Sequence, residues 1–154
     1  MEWKYVSKNC LDLIALESVY IEKAIVEKNN LYLTFENIEL LSDHPLNKFG
    51  TEWDTNGATL VFYDFEVLES GFYECKDVQK QELVIEDDCT FIPIQLFELL
   101  KDFTVVSEEL KNRTVGYFEH YFGGFAWSFN EEWGCFKIRY KSMEACWNSF
   151  YNNS

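Results

Sequence analysis

Imidazoles are scarce in this sequence: His44 and His120 are the only two, and neither has a second His four residues away. No two of the five cysteines stand at C-x-x-C spacing, so a zinc or redox site built from a short motif is not expected. A G-x-S-x-G turn is missing, and no Gly-rich loop precedes a helical pattern, which leaves serine-hydrolase chemistry and phosphate cradling without support. Long apolar runs are missing as well. Leu13 to Leu16, the longest near the N-terminus, is bracketed by Asp12 and Glu17, too short for a signal segment or a membrane span. Cations are outnumbered, 13 against 27 acids, which disfavours binding to nucleic acid or to an anionic membrane, since both require positive charge.

What the chain has in quantity is aromatic mass and negative charge. Aromatic residues make up 18 % of it, with 14 Phe, 9 Tyr and 5 Trp, enough large side chains to fill the space between sheets. At 154 residues one domain, 1–154, is expected, burying roughly two thirds of the surface of the unfolded chain without a staple. The cysteines, Cys10, Cys75, Cys89, Cys135 and Cys146, are odd in number and scattered, and read as reduced thiols of a cytoplasmic protein. The net charge of −14 is concentrated: residues 64–88 carry nine acids and two bases, −7, which is half the total. If those acids converge on one face they suit a basic partner.

Period-two alternation dominates the pattern. Around Asn29-Asn30 it predicts a hairpin pairing Val26 with Leu33, Ala24 with Phe35 and Lys23 with Glu36. Residues 42–57, dense in Pro, Gly, Asn and Asp, read as a long loop, and Val61, Tyr63, Phe65 and Val67 then share a strand face. Ser70-Gly71 marks a turn or a bulge. Pro93 suits the start of a short helix striped by Leu96, Leu99, Leu100 and Phe103. Ser107 before Glu108-Glu109 predicts a second brief helix, and Ser142 a terminal one striped by Met143, Cys146, Trp147 and Phe150. Between these, Phe125, Trp127 and Phe129 alternate with small residues, and Phe136, Ile138 and Tyr140 alternate with Lys137 and Arg139. That pattern predicts all six large side chains on the core face, with Gly123-Gly124 at a bend and Trp133 at the tip. The whole reads as mainly β, an antiparallel β-sandwich or partly closed β-barrel of six to nine strands with one to three short helices.

Both histidines read as structural, and Cys135 as a buried, inert thiol. The acidic doublets Asp87-Asp88, Glu108-Glu109 and Glu131-Glu132 read as turn or loop residues, because adjacent side chains in a strand diverge. An enzyme is not expected. One would require His120 to converge with a carboxylate or with Cys135 in a single cleft.

Taken together, "LYLTFENIELLSDHPLN", "DFEVLES", "FELLKDFTV" and the "FGGF" segment resemble a group of small, uncharacterised proteins of Gram-positive bacteria, including its HPLN loop at residues 44–47. Some of that group lie beside secreted polymorphic toxins and are regarded as their immunity proteins. The resemblance implies a protein that neutralises a cognate toxin by protein–protein contact; the concentrated negative charge and the lack of catalytic groups agree with a non-enzymatic acidic binding protein, for which no cofactor or metal is expected. Candidate contacts are Trp53 and Asp54 in the long loop, Asp64, Glu66 and Glu69 beyond it, and Glu86, Asp87 and Asp88. A homodimer through an edge strand is compatible with such a fold. The alternative is a small-molecule carrier whose barrel encloses an apolar ligand, for which a void of several hundred cubic ångströms with a few inward polar groups would speak.

Overall fold

Alternating apolar and polar side chains leave most of the chain a choice between strand and turn, and a computed structural model, which describes residues 2–75, 89–130 and 132–151, shows fourteen strands there. They are β1 (Tyr5–Lys8), β2 (Ile14–Ala15), β3 (Val19–Glu27), β4 (Asn30–Phe35), β5 (Glu39–Leu40), β6 (Trp53–Asn56) and β7 (Ala58–Tyr63). They continue with β8 (Glu66–Cys75), β9 (Cys89–Pro93), β10 (Phe103–Thr114), β11 (Tyr117–Ala126), β12 (Glu132–Tyr140), β13 (Ser142–Trp147) and β14 (Ser149–Phe150). Ten build one antiparallel sheet in the order β1-β13-β7-β4-β3-β10-β11-β12-β8-β9, and a small sheet, β14-β6-β5-β2, lies beside it.

The large sheet is open, with β1 and β9 at its edges, so the architecture is a sandwich and not a barrel. Among the described residues its two halves are joined only where Val19 to Ile21 of β3 pair with Phe103 to Val105 of β10. So short a joint lets the halves fold face to face: Phe62 of β7 meets Phe122 of β11 at 5.9 Å and Tyr140 of β12 at 4.9 Å, edge on. Phe35, Phe62, Phe103, Phe122, Phe136 and Trp147 are fully buried between the layers. Between the layers the interior is filled by these side chains, and the sheet does not close around a barrel lumen.

The β3–β4 hairpin forms with a turn one residue earlier than expected. Lys28 and Asn29 both take positive φ, 52° and 64°, the type I′ geometry. Val26 consequently pairs with Leu31 and Ala24 with Leu33, which keeps the expected apolar face but slides each partner by two residues, so Lys23 meets Thr34. Residues 42–52 form a pinned loop. Asn47 donates to the carbonyls of Leu40, Leu41 and Thr51, and His44 is buried, its Nδ1 accepting from the Leu46 N–H and its Nε2 hydrogen-bonded to Ser7.

Of the three expected helices one exists, a single turn at Leu96–Leu99 that buries Leu96 and Leu99. Ser107 to Glu109 belong to β10, and the C-terminal segment is β13 and β14. In each, a partner strand satisfies the backbone that a cap and a stripe would have served in a helix, and Met143, Ala145 and Trp147 bury at period two. Ser70-Gly71 is neither turn nor bulge but lies within β8; the irregularity falls beside it, opposite Lys137 and Ile138. Among the described residues no helix is long and apolar enough to cross a membrane.

Two further expectations are overturned. Cys10, Cys135 and Cys146 are free thiols, but Cys89 is disulfide-bonded, and the β8–β9 ladder sets it opposite Cys75. Five reduced cysteines are therefore not what the fold contains. The six-residue aromatic face also splits. The β11–β12 ladder pairs Phe122 with Phe136 and Phe125 with Trp133, so Phe125 shares a face with Cys135, Lys137 and Arg139. Phe136, Ile138 and Tyr140 are buried, and Phe129 packs partly against the core. Phe125 and Trp127 are 40 % and 38 % exposed; alternation stops at a 3-10 turn, Trp127–Phe129, so Trp127 follows no strand face.

Candidate functional site

The β10–β11 hairpin carries chemistry at both ends and on opposite faces. Near its start, on the outward face, Thr104 lies between Tyr20 of β3 and Phe125 of β11 in the ladder. The Trp127 indole N–H donates to Thr104 Oγ1 at 2.8 Å, Tyr20 O–H donates to Asp102 at 2.9 Å, and Trp133 N–H reaches Tyr121 Oη at 3.4 Å. Phe125 sits 5.6 Å from Trp127 and 6.0 Å from Trp133, ring to ring. Gly123 is bare for this reason: a Cβ there would collide with the Trp133 ring, which lies across the backbone. Glu22 and Asp102 stand close enough to Tyr20 to raise its pKa, the hydrogen bond to Asp102 contributing most. The result is a preoriented aromatic patch whose polar atoms are already satisfied, with carboxylates at its margin.

Toward the tip, on the inward face, the hairpin outgrows the opposing layer and leaves a cleft of about 410 Å³. Asn9, at positive φ, exchanges two backbone-anchored hydrogen bonds with Met143, and the 3-10 turn that follows, Leu11–Leu13, sets Asp12 over the opening. His120, 3 % exposed, hydrogen-bonds Glu108 through Nε2, and Tyr140 Oη lies 3.3 Å from its Nδ1. A carboxylate only accepts, so Nε2 carries the proton and Nδ1 takes the hydrogen bond of the phenol. Burial pushes the Tyr140 pKa up, with Glu108 and Asp12 adding to the shift, so the phenol keeps its proton as donor. Leu11, Leu110, Phe118 and Met143 form apolar walls, and Arg113 lays its guanidinium 5.2 Å from the Phe118 ring. His120 thus meets a carboxylate in one cleft. It does not meet Cys135, which points to the other face and whose thiol burial, with Glu69 beside it, pushes up to about 11.

The residues singled out from sequence are dispersed. Trp53 stacks on Phe49 at 4.2 Å and donates its N–H to the Tyr151 carbonyl, so it anchors the small sheet. Asp54 faces Glu39 across β5–β6, beside Glu17, and burial together with those acids raises the Glu39 pKa. Asp64, at φ 50°, is an exposed turn residue. Glu66 pairs with Arg139, and Glu69 stands opposite Lys137 in the ladder. Glu86, Asp87 and Asp88 lie outside the described residues, as does Glu131. Of the doublets, Glu108 and Glu109 do diverge, but from a strand: Glu108 turns to His120 and Glu109 to Lys111. Among the described residues no group of His, Cys, Asp and Glu has the geometry to hold a metal ion.

Sequence reasoning missed Tyr20, Asp102 and the outward Phe125, because the parity of one hairpin register decides which face each occupies. It missed the Glu108–His120–Tyr140 chain because a helix was expected at Ser107. Comparison of the chain with family models, curated proteins and solved structures returns no match.

Proposed function

We propose that this protein binds a basic protein partner across the outward face of β10–β12 and occludes it, in the manner of an immunity protein acting on a toxin. One observation carries the reading: Phe125 and Trp127, with Trp133 and Tyr20 beside them, form a half-exposed aromatic cluster with carboxylates at its edge. Preoriented Trp and Tyr side chains with satisfied polar atoms lose little entropy on docking, and such residues supply most of the affinity at protein interfaces. The net charge of −14 raises the encounter rate with a basic surface. The charge that matters on this reading is that of Glu22, Asp102 and Glu69; Trp53 and Asp54 serve the small sheet instead. An edge-to-edge homodimer would use β1 or β9, leaving the aromatic face available.

The test is affinity capture with wild-type protein and with a Phe125→Ala/Trp127→Ala variant of unchanged fold. A basic protein retained by wild type, lost with the variant and released progressively by salt is the expected outcome. Equal retention by both, or retention indifferent to salt, would refute the reading.

A further inference from the structure

The cleft at the other end of the hairpin serves no purpose in docking on the outward face, and its lining is that of a ligand site. Apolar walls from Leu11, Phe118 and Met143 enclose a volume suited to a small organic molecule. Charge selects among such molecules. Among the described residues Asp12 and Glu108 line the cleft with one cation, Arg113; Glu109, also at its rim, is held by Lys111. Glu108 is held there by His120, itself fixed by Tyr140, and that contact uses one carboxylate oxygen, Oε2. Among the described residues the other oxygen of Glu108 accepts no hydrogen bond, and its side chain remains 20 % exposed. A buried Tyr–His chain that orients one carboxylate and leaves half of it open is a preorganised acceptor for a donor that arrives from outside.

We propose that this cleft binds a small organic cation with an apolar body, an aryl or alkyl amidinium or ammonium, its charged head between Glu108 and Asp12 and its body on Phe118 and Met143. This second site is independent of the outward aromatic face, and its failure would leave the protein-binding reading untouched.

Benzamidine is the probe, with benzamide as neutral isostere and benzoate as its anionic counterpart. Ligand titrations followed by the His120 ring resonances of the full chain should show saturable shifts with millimolar benzamidine and none with the other two. Glu108→Gln should weaken benzamidine by about tenfold, and Asp12→Asn, an exposed position whose change leaves the fold intact, by a smaller factor. Benzamide binding as well as benzamidine would overturn the proposal in favour of an apolar slot. Preference for benzoate, abolished by Arg113→Gln, would overturn it in favour of an anion site. Silence toward all three, or affinity unchanged in both carboxylate variants, would also refute it.

Discussion

The two ends of the β10–β11 hairpin contrast in what lies over each face. At the Phe103 end the inward face is sealed: Leu99, Phe103 and Ala126 crowd Gly134 so closely that a Cβ there would touch all three, and the aromatic surplus is turned outward. At the Arg113 end the opposing layer stops short, and polar groups turn inward instead, with Glu108 and His120 on the face that buries Phe122 two residues away. One continuous pair of strands thus presents an apolar surface to solvent at one end and a polar surface to the interior at the other. Inversion of the usual pattern at both ends of a single element is what the two proposals rest on, since folding alone would favour the reverse at each.

The largest effect sharpens that contrast. Phe122→Ala removes a fully buried ring that touches Phe62 and Phe136, and should cost about 3–5 kcal/mol in urea unfolding. Phe125→Ala, three residues along the same strand, removes a ring that is 40 % exposed and should cost less than about 1 kcal/mol. Equal losses would show that the outward aromatics are structural after all, and with them the binding reading would lose its basis.

An intermediate effect separates the two adjacent glycines. A Cβ on Gly124 would run into the Thr104 carbonyl oxygen across the ladder, where only backbone movement makes room. A Cβ on Gly123 meets the Trp133 ring, which can swing into solvent. Gly124→Ala should therefore lower stability by about 2 kcal/mol or more, and Gly123→Ala by about 1 kcal/mol or less while shifting the Trp133 fluorescence. A Gly123→Ala protein with native emission would mean that the ring does not lie across the backbone as described.

How far this was legible in the sequence follows from the same residues. Period-two alternation is a local property and gave the mainly β class, the β3–β4 turn region and the burial of Phe136, Ile138 and Tyr140. Facing across a ladder is a non-local property. Phe125 fell on the wrong side because the length of the turn between β11 and β12 fixes the parity of their pairing, and a 3-10 turn at Trp127 is not encoded by alternation. The Glu108–His120 contact was hidden twice, once by the cap-like Ser107 and once by a register that pairs Leu110 with His120 only through β-bulges. Charge composition indicated an acidic protein but not which acids are already matched: Glu66 stood out by position, and its cation, Arg139, comes from β12.

The smallest effect compares the two buried histidines, His120 at the open end of the hairpin and His44 in the pinned loop. His120 has a carboxylate on Nε2, whereas His44, in the pinned loop and edge-on to Trp147, has a hydroxyl and a backbone amide. Burial lowers the His44 pKa below its ordinary value of 6.5, with Asp12 opposing the shift only in part. Below pH 6.5 the unfolded chain therefore takes up a proton at this position that the folded protein resists, so its contribution to stability is present above that pH and lost as pH falls toward the folded value. Urea midpoints measured from pH 7.5 down to 5.5 should fall more steeply for wild type than for His44→Gln, which has no proton to gain. Parallel curves would mean that the imidazole stays as well solvated as in the unfolded chain, and the loop pinned by Asn47 would then have to open far enough to admit water to it.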